Sequence, residues 1–224
     1  MTERRIPVAT VSRLPEYLEA LTEKLQQGEH TTSSQDLALS TGVNAAKVRK
    51  DLSYMGQYGT RGVGYDIPYL IHHIERVLGL TEQWRCALVG VGNLGRALVT
   101  YPGFEERGFQ VVAAFDTDPA VIGTRIGPIL VQPASDLEKI VAERGVVIGI
   151  VAVPAPAAQD AVDALVDAGV KSILSFAPVT LYVPEDVTVR KVDLSMELQI
   201  LSFHEQRKHA LLEHSDAAPL RRVN

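Results

Sequence analysis

The chain has 224 residues, of which 46% are hydrophobic and 22% are charged, and its net charge is −5. This composition is typical of a globular protein with one large or two modest domains, and it argues against a generally basic nucleic-acid coat protein. Residues 1–80 carry nine Lys and Arg against nine Asp and Glu, whereas residues 81–224 carry thirteen against eighteen. Two functional units are therefore indicated, of which the first is neutral and the second acidic.

Cysteine usage and hydropathy indicate the compartment. The single cysteine, Cys86, excludes an internal disulfide and does not build a metal site by itself, so no metal is predicted. The first residues, MTERRIPVATVSR, lack the apolar core of a signal peptide. The longest uncharged apolar stretch, GVVIGIVAVPAPAA, is too short to span a bilayer as a helix. We expect a cytoplasmic protein without a membrane partner.

Helical periodicity dominates the first 80 residues. The apolar residues of the first predicted helix recur at spacings of three and four, at Leu14, Leu18, Leu21 and Leu25. A short second helix is predicted to follow a cap at Ser33 or Ser34 and to stop at Gly42. A third helix, AAKVRKDLSYM, follows a cap at Asn44, and a fourth precedes a change of pattern near residue 80.

The second and third of these helices fit a helix-turn-helix, SQDLALSTGVNAAKVRKDLS. The spacing of Ala38, Gly42 and Val48 is typical of two helices joined by a tight turn. The cationic side chains of the second helix of this pair could contact DNA in the major groove. The next passage, GQYGTRGVGY, predicts a hairpin wing whose arginine could reach the minor groove. The other interpretation is a solvated charged helix beside a surface turn. The predicted DNA contacts are Ser34, Asn44, Lys47, Arg49, Lys50, Ser53, Tyr58, Arg61 and Gly62.

Strands and helices alternate after residue 80. The strand-like runs are RCALVG, FQVVAAFD, VVIGIVAV, KSILSF and VTVRKVD, and helical segments lie between most of them. Such alternation predicts a parallel sheet with helices on its faces. A helix over residues 194–210 and a flexible tail over residues 211–224 are predicted to end the chain.

The stretch GVGNLG, Gly90 to Gly95, lies between a predicted strand and a predicted helix, which is the context of a dinucleotide fingerprint. Gly90 would allow a sharp turn, Gly92 the approach of a pyrophosphate, and Gly95 a close contact between helix and strand. Asp116 ends the next strand, where a carboxylate would accept hydrogen bonds from an adenosine ribose and favour NAD(H) over NADP(H). The other interpretation is a structural glycine-rich turn.

Catalytic groups are scarce around this loop. None of the six histidines falls between Gly90 and Phe203, and the loops VAVPAPAAQ and SFAPVTLYV are apolar. Most nicotinamide dehydrogenases need a proton donor or acceptor near the substrate, and only Tyr101 is an obvious candidate, so no enzymatic activity is predicted. The predicted cofactor contacts are Gly90, Val91, Gly92, Asn93, Leu94, Gly95, Asp116, Thr117, Asp118, Val153, Pro154, Phe176, Ala177 and Pro178.

Three other functions stay open on the residues alone. The chain could be an NAD-dependent dehydrogenase with a fused helical domain. It could be a DNA reader fused to a domain that holds another nucleotide, such as NADPH or FAD. It could also be a module whose helix-turn-helix binds protein instead of DNA.

Five blocks of the sequence resemble the Rex family of redox-sensing transcriptional repressors, and the resemblance extends to about Lys208. The blocks are VRKDLSYMGQYGTRGVGYD (48–66), GVGNLGRAL (90–98), FDTDP (115–119), SFAPVTL (175–181) and KVDLSMELQILSFHEQ (191–206). The resemblance implies an α/β fold with a winged helix-turn-helix domain over residues 1–80 and a Rossmann NAD(H)-binding domain over residues 81–193.

The resemblance also implies a homodimer whose C-terminal helices are exchanged between subunits and which binds an inverted-repeat operator. NADH would release this dimer from DNA, and NAD⁺ would permit binding. Phe203 of the exchanged helix would approach the nicotinamide pocket of the other subunit. Tyr101 and Asp193 would hydrogen-bond in one state, with Arg13 as an alternative partner for Asp193.

Overall fold

The chain folds into two compact units, and the division falls between Gln83 and Trp84. The structure, a computed structural model, describes residues 6–56, 59–60 and 62–216, without the side chains of residues 210–216. Each unit has its own core of fully buried side chains. The division lies three residues beyond the boundary predicted at residue 80.

The described part of the N-terminal unit is mainly helical. Its elements are α1 (Val8–Val11), α2 (Leu14–Gln26), β1 (Thr31–Thr32), α3 (Ser34–Thr41), α4 (Ala45–Tyr54), β2 (Tyr65–Asp66) and α5 (Ile67–Leu78). The four helices expected from periodicity correspond to α2, α3, α4 and α5. Helix α1 was not predicted, because four residues are too few to show a helical period.

Local capping residues define the turn between α3 and α4. The Ser33 hydroxyl accepts a hydrogen bond from the backbone N–H of Asp36, whose carboxylate accepts one from the N–H of Ser33. Gly42 ends α3 in the left-handed conformation at a φ of +66°, which glycine adopts without a Cβ penalty. Asn44 then caps α4, since its side-chain oxygen accepts from the N–H of Ala46 at 2.8 Å. The predicted helix-turn-helix is therefore present.

The core of this unit is assembled from α2, α3, α4 and α5. Burying each large aliphatic side chain contributes about 1.5–3 kcal/mol, so these contacts rather than helix propensity hold the four helices together. The core side chains of these four helices with no more than 1% exposure are Leu14, Tyr17, Leu21, Leu37, Val48, Leu52, Ile67, Leu70 and Ile74.

A short hairpin follows α4. The N–H of Thr60 donates to the carbonyl of Gly64 at 2.8 Å, and β2 pairs with β1 in an antiparallel ladder. Gly64 has a φ of +95°, and a Cβ there would lie 2.4 Å from the Thr32 carbonyl oxygen, so a side chain is sterically excluded. The predicted DNA contacts Tyr58 and Arg61 lie outside the described residues.

The C-terminal unit contains a seven-stranded sheet in the order β5-β6-β4-β3-β7-β8-β9. All its pairs are parallel except β5 with β6. Its elements are β3 (Trp84–Val89), α6 (Asn93–Val99), α7 (Pro102–Glu105), β4 (Phe109–Asp116), β5 (Arg125–Ile126), β6 (Ile129–Pro133), α8 (Leu137–Arg144), β7 (Ile148–Val151), α9 (Ala158–Asp167), β8 (Ser172–Ser175), β9 (Thr188–Lys191) and α10 (Leu194–Asp216). The predicted Rossmann-like sheet is thus confirmed.

Alternate residues of the strands enter two apolar layers. Ala87, Phe115 and Val151 belong to the layer that includes side chains of α8 and α9. Cys86 and Leu88 belong to the layer that includes side chains of α6 and α7. Burial raises the pKa of the Cys86 thiol to about 11, so the predicted buried strand cysteine stays protonated at neutral pH.

The carboxyl ends of the central strands lie at one level. Val89 of β3 is in register with Phe115 of β4 and Val151 of β7, and Val151 is in register with Ser175 of β8. The chain runs from β3 to β4 on one side and returns to β7 on the other, so the strand order reverses beside β3. Ligands of open α/β sheets bind in the crevice at such a reversal.

Helix α10 extends through Asp216, so its predicted end at residue 210 is six residues too early. Residues Ala210, Leu211 and Leu212 favour helix formation, which explains the continuation. The described side chains of α10, residues 194–209, are all exposed in the single chain. No helix within the described ranges is both long and apolar enough to cross a membrane.

Candidate dinucleotide site and nucleic-acid interface

Each glycine of the GVGNLG loop meets a different steric requirement. Gly90 has a φ of +96°, and a Cβ there would lie 2.6 Å from Val153 Cγ1. A Cβ at Gly95 would lie 2.0 Å from the carbonyl oxygen of Gly90. Around Gly92, in contrast, a Cβ would meet no described heavy atom within 4 Å. The loop therefore needs glycine at its first and third positions for its own packing, while the second leaves the backbone open to a ligand.

The next residues begin α6 directly at this loop. Gly92 is the N-cap, and the exposed residues Asn93 and Leu94 form the first turn. Amides in a first turn have no acceptor within their own helix. They are therefore able to donate hydrogen bonds to an anionic group placed at Gly92.

Asp116 connects this loop to the end of β4. One oxygen of its carboxylate accepts from the N–H of Val91 at 2.7 Å. The other accepts from the N–H groups of Thr117 and Asp118 at 2.7 and 2.9 Å. A carboxylate oxygen has two acceptor sites, so the group retains capacity for a hydroxyl donor such as a ribose. Asp116 thus fixes the glycine loop, a role that its position in the sequence did not reveal.

The segments after β7 and β8 form the apolar end of the crevice. The N–H of Phe176 donates to the carbonyl of Val151 at 2.9 Å, which extends the pairing of the two strands. Ala177 is completely buried, whereas Val153 and Phe176 are half-buried and Pro154 and Pro178 are exposed. None of these five side chains can donate or accept a proton.

Most of the predicted DNA contacts that the structure describes lie on α4 and its cap, Asn44. Lys47, Arg49 and Lys50 are exposed on α4. Arg49 Nη1 donates to the hydroxyl of Ser34 at 2.9 Å, which links the first turn of α3 to α4. Ser53 donates to the carbonyl of Lys50 at 2.7 Å. Asn44 caps the helix, and Gly62 is exposed in the hairpin at a φ of +83°.

Sequence reasoning missed a buried carboxylate on the same helix. Asp51 is 2% exposed and accepts hydrogen bonds from Arg13 Nε and Nη2, both at 2.7 Å. It also accepts from the hydroxyls of Tyr17 at 2.8 Å and Thr10 at 2.9 Å. Burial by itself would raise the pKa of Asp51, but these hydrogen bonds outweigh it and hold the pKa below its ordinary value. The only sequence signal was an aspartate adjoining the buried Leu52.

Replacing Asp51 by asparagine should destabilise the N-terminal unit by about 3–5 kcal/mol at pH 7, because Arg13 then loses its buried counter-charge. The folded pKa of Asp51 lies below its unfolded value of about 3.9, so its stabilisation is present above that pH and disappears as the pH falls through the folded pKa. The free energy of unfolding, measured with urea, should therefore differ less between Asp51→Asn and wild type at pH 3 than at pH 7. Glu19→Gln, at an exposed carboxylate on α2, is the control. An equal deficit at both pH values would contradict the prediction.

Two of the predicted switch residues have local partners. Arg13 is paired with Asp51, as described above. The carboxylate of Asp193 accepts from the N–H and hydroxyl of Ser195 and lies 3.3 Å from Lys191 Nζ. The hydrogen bond from the Ser195 hydroxyl is the main reason why the pKa of Asp193 is lowered. The exchange of Asp193 between Tyr101 and Arg13 stays a prediction.

The two aromatic switch residues are exposed in the single chain. Tyr101 packs edge to face on Phe104 with ring centroids 5.2 Å apart. Phe203 lies on α10 with the guanidinium of Arg207 5.8 Å from its ring centroid. Both are more than half exposed, at 52% and 54%. Aromatic residues are enriched in the cores of protein–protein interfaces.

An apolar groove of about 500 Å³ lies on the sheet face next to α7. Tyr101 and Phe104 line it together with residues of β3, β7 and β8, which include Cys86, Ile148 and Leu174. The groove is distinct from the crevice at the carboxyl ends of the strands, where the glycine loop lies.

Helix α10 carries two apolar stripes on opposite sides. At 3.6 residues per turn, positions separated by four and then three residues share a side. The first stripe, which we call stripe A, is Leu194, Leu198 and Leu201; the second, stripe B, is Met196, Ile200 and Phe203. Each of these six side chains is at least 52% exposed. A helix that is apolar on two sides is suited to burial between two surfaces.

Two family models match the chain, one over each unit. The model described as "Putative DNA-binding protein N-terminus" matches residues 5–53, and the model described as "CoA binding domain" matches residues 81–179. With the helix-turn-helix and the glycine loop, these matches define a class of protein in which a DNA-reading unit is joined to a nucleotide-binding type of Rossmann unit.

A curated relative identifies the family within that class. The chain is 56% identical over 221 residues to the redox-sensing transcriptional repressor Rex of Streptomyces griseus, an alignment that covers 97% of this chain and 87% of the relative. The chain belongs to the Rex family of redox-sensing transcriptional repressors. Its relatives are named as repressors, which disfavours the dehydrogenase alternative despite the similar fold.

Solved structures of RSP, a Rex-family repressor, share the fold of this chain. The crystal structure of RSP in complex with beta-NAD⁺ and operator DNA has a TM-score of 0.85 at 33% identity, and the match covers 96% of this chain and 99% of that one. The complex of RSP with beta-NADH has a TM-score of 0.84 at 32% identity, with coverage of 93% and 98%. The α/β fold with an N-terminal DNA-binding domain and a Rossmann-like domain is therefore shown for this chain.

Proposed function

We propose that this chain binds an inverted-repeat operator as a homodimer and is released from the DNA by NADH, whereas NAD⁺ permits binding. The glycine loop held by Asp116 carries the proposal, since this geometry suits a dinucleotide in a chain whose other unit holds a helix-turn-helix. In this proposal residues 1–80 read DNA, residues 81–193 bind NAD(H), and α10 joins the subunits. In this proposal the protein acts in the cytoplasm.

The carboxylate of Asp116 selects the adenosine half of the cofactor. The first-turn amides of α6 beside Gly92 would hold the pyrophosphate, and Asp116 would accept hydrogen bonds from the ribose hydroxyls. The 2′-phosphate of NADP(H) would be repelled by this carboxylate. A distance of 2.7 Å between Asp116 and the N–H of Val91 supports this assignment, because the same group then orients both loop and ribose.

Asp116→Ala should raise the Kd for NADH about 10- to 100-fold, because it removes charge-assisted hydrogen bonds to the ribose and to the loop. Operator binding without nucleotide should stay within twofold of wild type. Titration calorimetry with NADH measures the first value and fluorescence anisotropy the second. The exposed Asp160 on α9 provides the control substitution, Asp160→Ala. An unchanged Kd for NADH would show that Asp116 does not bind the ribose.

The apolar end of the crevice explains why the two redox states differ. NAD⁺ carries a positive charge on the nicotinamide ring, and NADH does not. Val153, Phe176 and Ala177 offer no counter-charge, and burying an unpaired cation is costly. NADH therefore favours a closed arrangement of the subunits more than NAD⁺ does, and this difference in affinity is what shifts the equilibrium.

The exposed cations of α4 supply the DNA contacts. Lys47, Arg49 and Lys50 would meet phosphates or base edges in the major groove, and Arg61 of the wing would reach the minor groove. Ser34 orients the Arg49 guanidinium through the 2.9 Å hydrogen bond and leaves its other N–H groups for DNA. Because the half-sites are fixed on the duplex, a change in the spacing of the two α4 helices would end simultaneous binding.

The exposed stripes of α10 support the homodimer. In an exchanged arrangement, α10 of one copy covers apolar surface of the other, such as the groove beside Tyr101. Phe203 would then approach the nicotinamide end of the crevice in the other copy. Asp193, at the start of α10, would be placed to meet Tyr101 in one state and Arg13 in the other.

Anisotropy of a labelled inverted-repeat duplex tests the proposal directly. The protein should bind the duplex in the presence of NAD⁺, and NADH should release it at concentrations far below that of NAD⁺. Binding to the duplex should also weaken steeply as the salt concentration rises. Linkage requires operator DNA to weaken NADH binding by the same factor. Binding that neither nucleotide affects, or equal NADH affinity with and without operator, would overturn the proposed switch.

A further inference from the structure

The connection between β8 and β9, residues 176–187, is a long segment without a helix. It begins with the apolar residues Phe176, Ala177 and Pro178 at the nicotinamide end of the proposed site. Leu181 and Val183 pack against the core of the unit. An irregular segment of this length needs further contacts to hold one conformation.

One side chain of α9 makes such a contact with both backbone groups of a single residue in this segment. Gln159 Nε2 donates to the carbonyl of Tyr182 at 2.9 Å, and the N–H of Tyr182 donates to Gln159 Oε1 at 3.0 Å. The second hydrogen of Nε2 donates to Asp163 Oδ1 at 2.8 Å. A carboxylate only accepts, so Asp163 fixes which end of the amide faces it. We call these three hydrogen bonds the Gln159 bridge.

The Gln159 bridge joins the two segments that form the nicotinamide end of the crevice. Gln159 is the second residue of α9, and the segment just before α9 carries Val153 and Pro154. Tyr182 lies in the segment that starts with Phe176. The bridge therefore fixes the spacing between the two walls, although Gln159 itself belongs to neither.

We propose that Gln159 is a positioning residue for the nicotinamide end of the site and thereby sets how well the protein binds NADH. This inference rests on the proposed function. Without the bridge, the segment after β8 gains conformational freedom, and closing it on the reduced ring costs additional free energy. The adenosine end is unaffected, because Asp116 and the glycine loop do not contact Gln159.

Comparison of NADH with ADP-ribose, which lacks the nicotinamide ring, tests this role on the full-length protein. Gln159→Glu keeps the shape of the side chain but removes both donors and places a carboxylate beside Asp163 and the Tyr182 carbonyl. Its Kd for NADH should rise about tenfold, equivalent to the loss of one or two neutral hydrogen bonds, while its Kd for ADP-ribose stays within twofold. Gln159→Met, which adds no charge, should show the same selectivity. Gln110→Glu makes the same chemical change at an exposed position of β4 and should alter neither Kd.

The outcomes separate this inference from the proposed function. If the affinities for NADH and for ADP-ribose fall equally in the Gln159 variants, Gln159 has a general structural role and the inference is wrong. Unchanged NADH affinity in both variants would also overturn it. If the wild-type protein does not bind NADH, the proposed function fails first and the inference fails with it.

Discussion

Gly95→Ala is expected to produce a repressor that no longer responds to NADH. The added Cβ would lie 2.0 Å from the carbonyl oxygen of Gly90, a backbone atom that can move only if the loop moves. It would also lie 3.0 Å from the carbonyl carbon of Gly90 and 3.2 Å from Leu88 Cδ2, so the loop is crowded on the side of β3 as well. The shifted loop no longer matches a pyrophosphate, and the Kd for NADH should rise at least about 100-fold. The helix-turn-helix lies in the other unit, so operator binding should persist at every NADH concentration.

Titration of NADH into the protein–operator complex measures this effect by anisotropy. Ala97→Ser, which adds one heavy atom at an exposed position of the same helix, should release DNA like wild type. Circular dichroism of both variants tests for global unfolding. NADH could instead release the Gly95→Ala protein from DNA at the concentrations that release wild type. That result would show that the loop tolerates a Cβ and that its third glycine is not required.

The second large effect is expected from a charge in either apolar stripe of α10. Leu198→Glu places a carboxylate in stripe A, and Ile200→Glu places one in stripe B. Burying an unpaired charge costs several kcal/mol, so the dissociation constant of the dimer should rise at least about 100-fold in both variants. Operator affinity should fall with it, because a single copy contacts only one half-site.

Sedimentation velocity distinguishes dimer from monomer in this experiment. Ser202→Glu introduces the same charge between the two stripes and should leave the dimer intact. If the dimer dissociates in only one of the two variants, Leu198→Glu or Ile200→Glu, then α10 is buried on one side alone. A dimer in all three variants would contradict the exchanged-helix proposal.

The sequence was most informative where a structural requirement is local. Ser33, Gly42 and Asn44 act on residues within a turn of themselves, so the bounds of the helix-turn-helix could be predicted within one residue. The glycine loop was equally predictable, since its three glycines act on one strand–helix connection. The short hairpin of β5 and β6 and the single turn of α7 were missed, because neither is long enough to show periodicity.

Contacts between distant parts of the chain were not predictable. Asp51 meets Arg13 across 38 residues, and Gln159 meets Tyr182 across 23 residues. Apart from the place of Asp51 beside the buried Leu52, nothing in the local sequence distinguishes either side chain from a solvated one. The backbone contacts of Asp116 were missed for a related reason, since the position of Asp116 indicated a ligand contact but not that its carboxylate also holds the N–H of Val91.

Because of the two stripes of α10, the concentration of the protein would itself affect its function, independently of NADH. Each newly made chain exposes both apolar stripes. In the proposed homodimer, the share of paired chains would depend on the protein concentration. A cell with few molecules of the protein would contain mostly monomers, and its target genes would stay unrepressed at any NADH level. Two diverged copies of such a gene in one cell would form mixed pairs unless stripes A and B had changed together with the surfaces they cover.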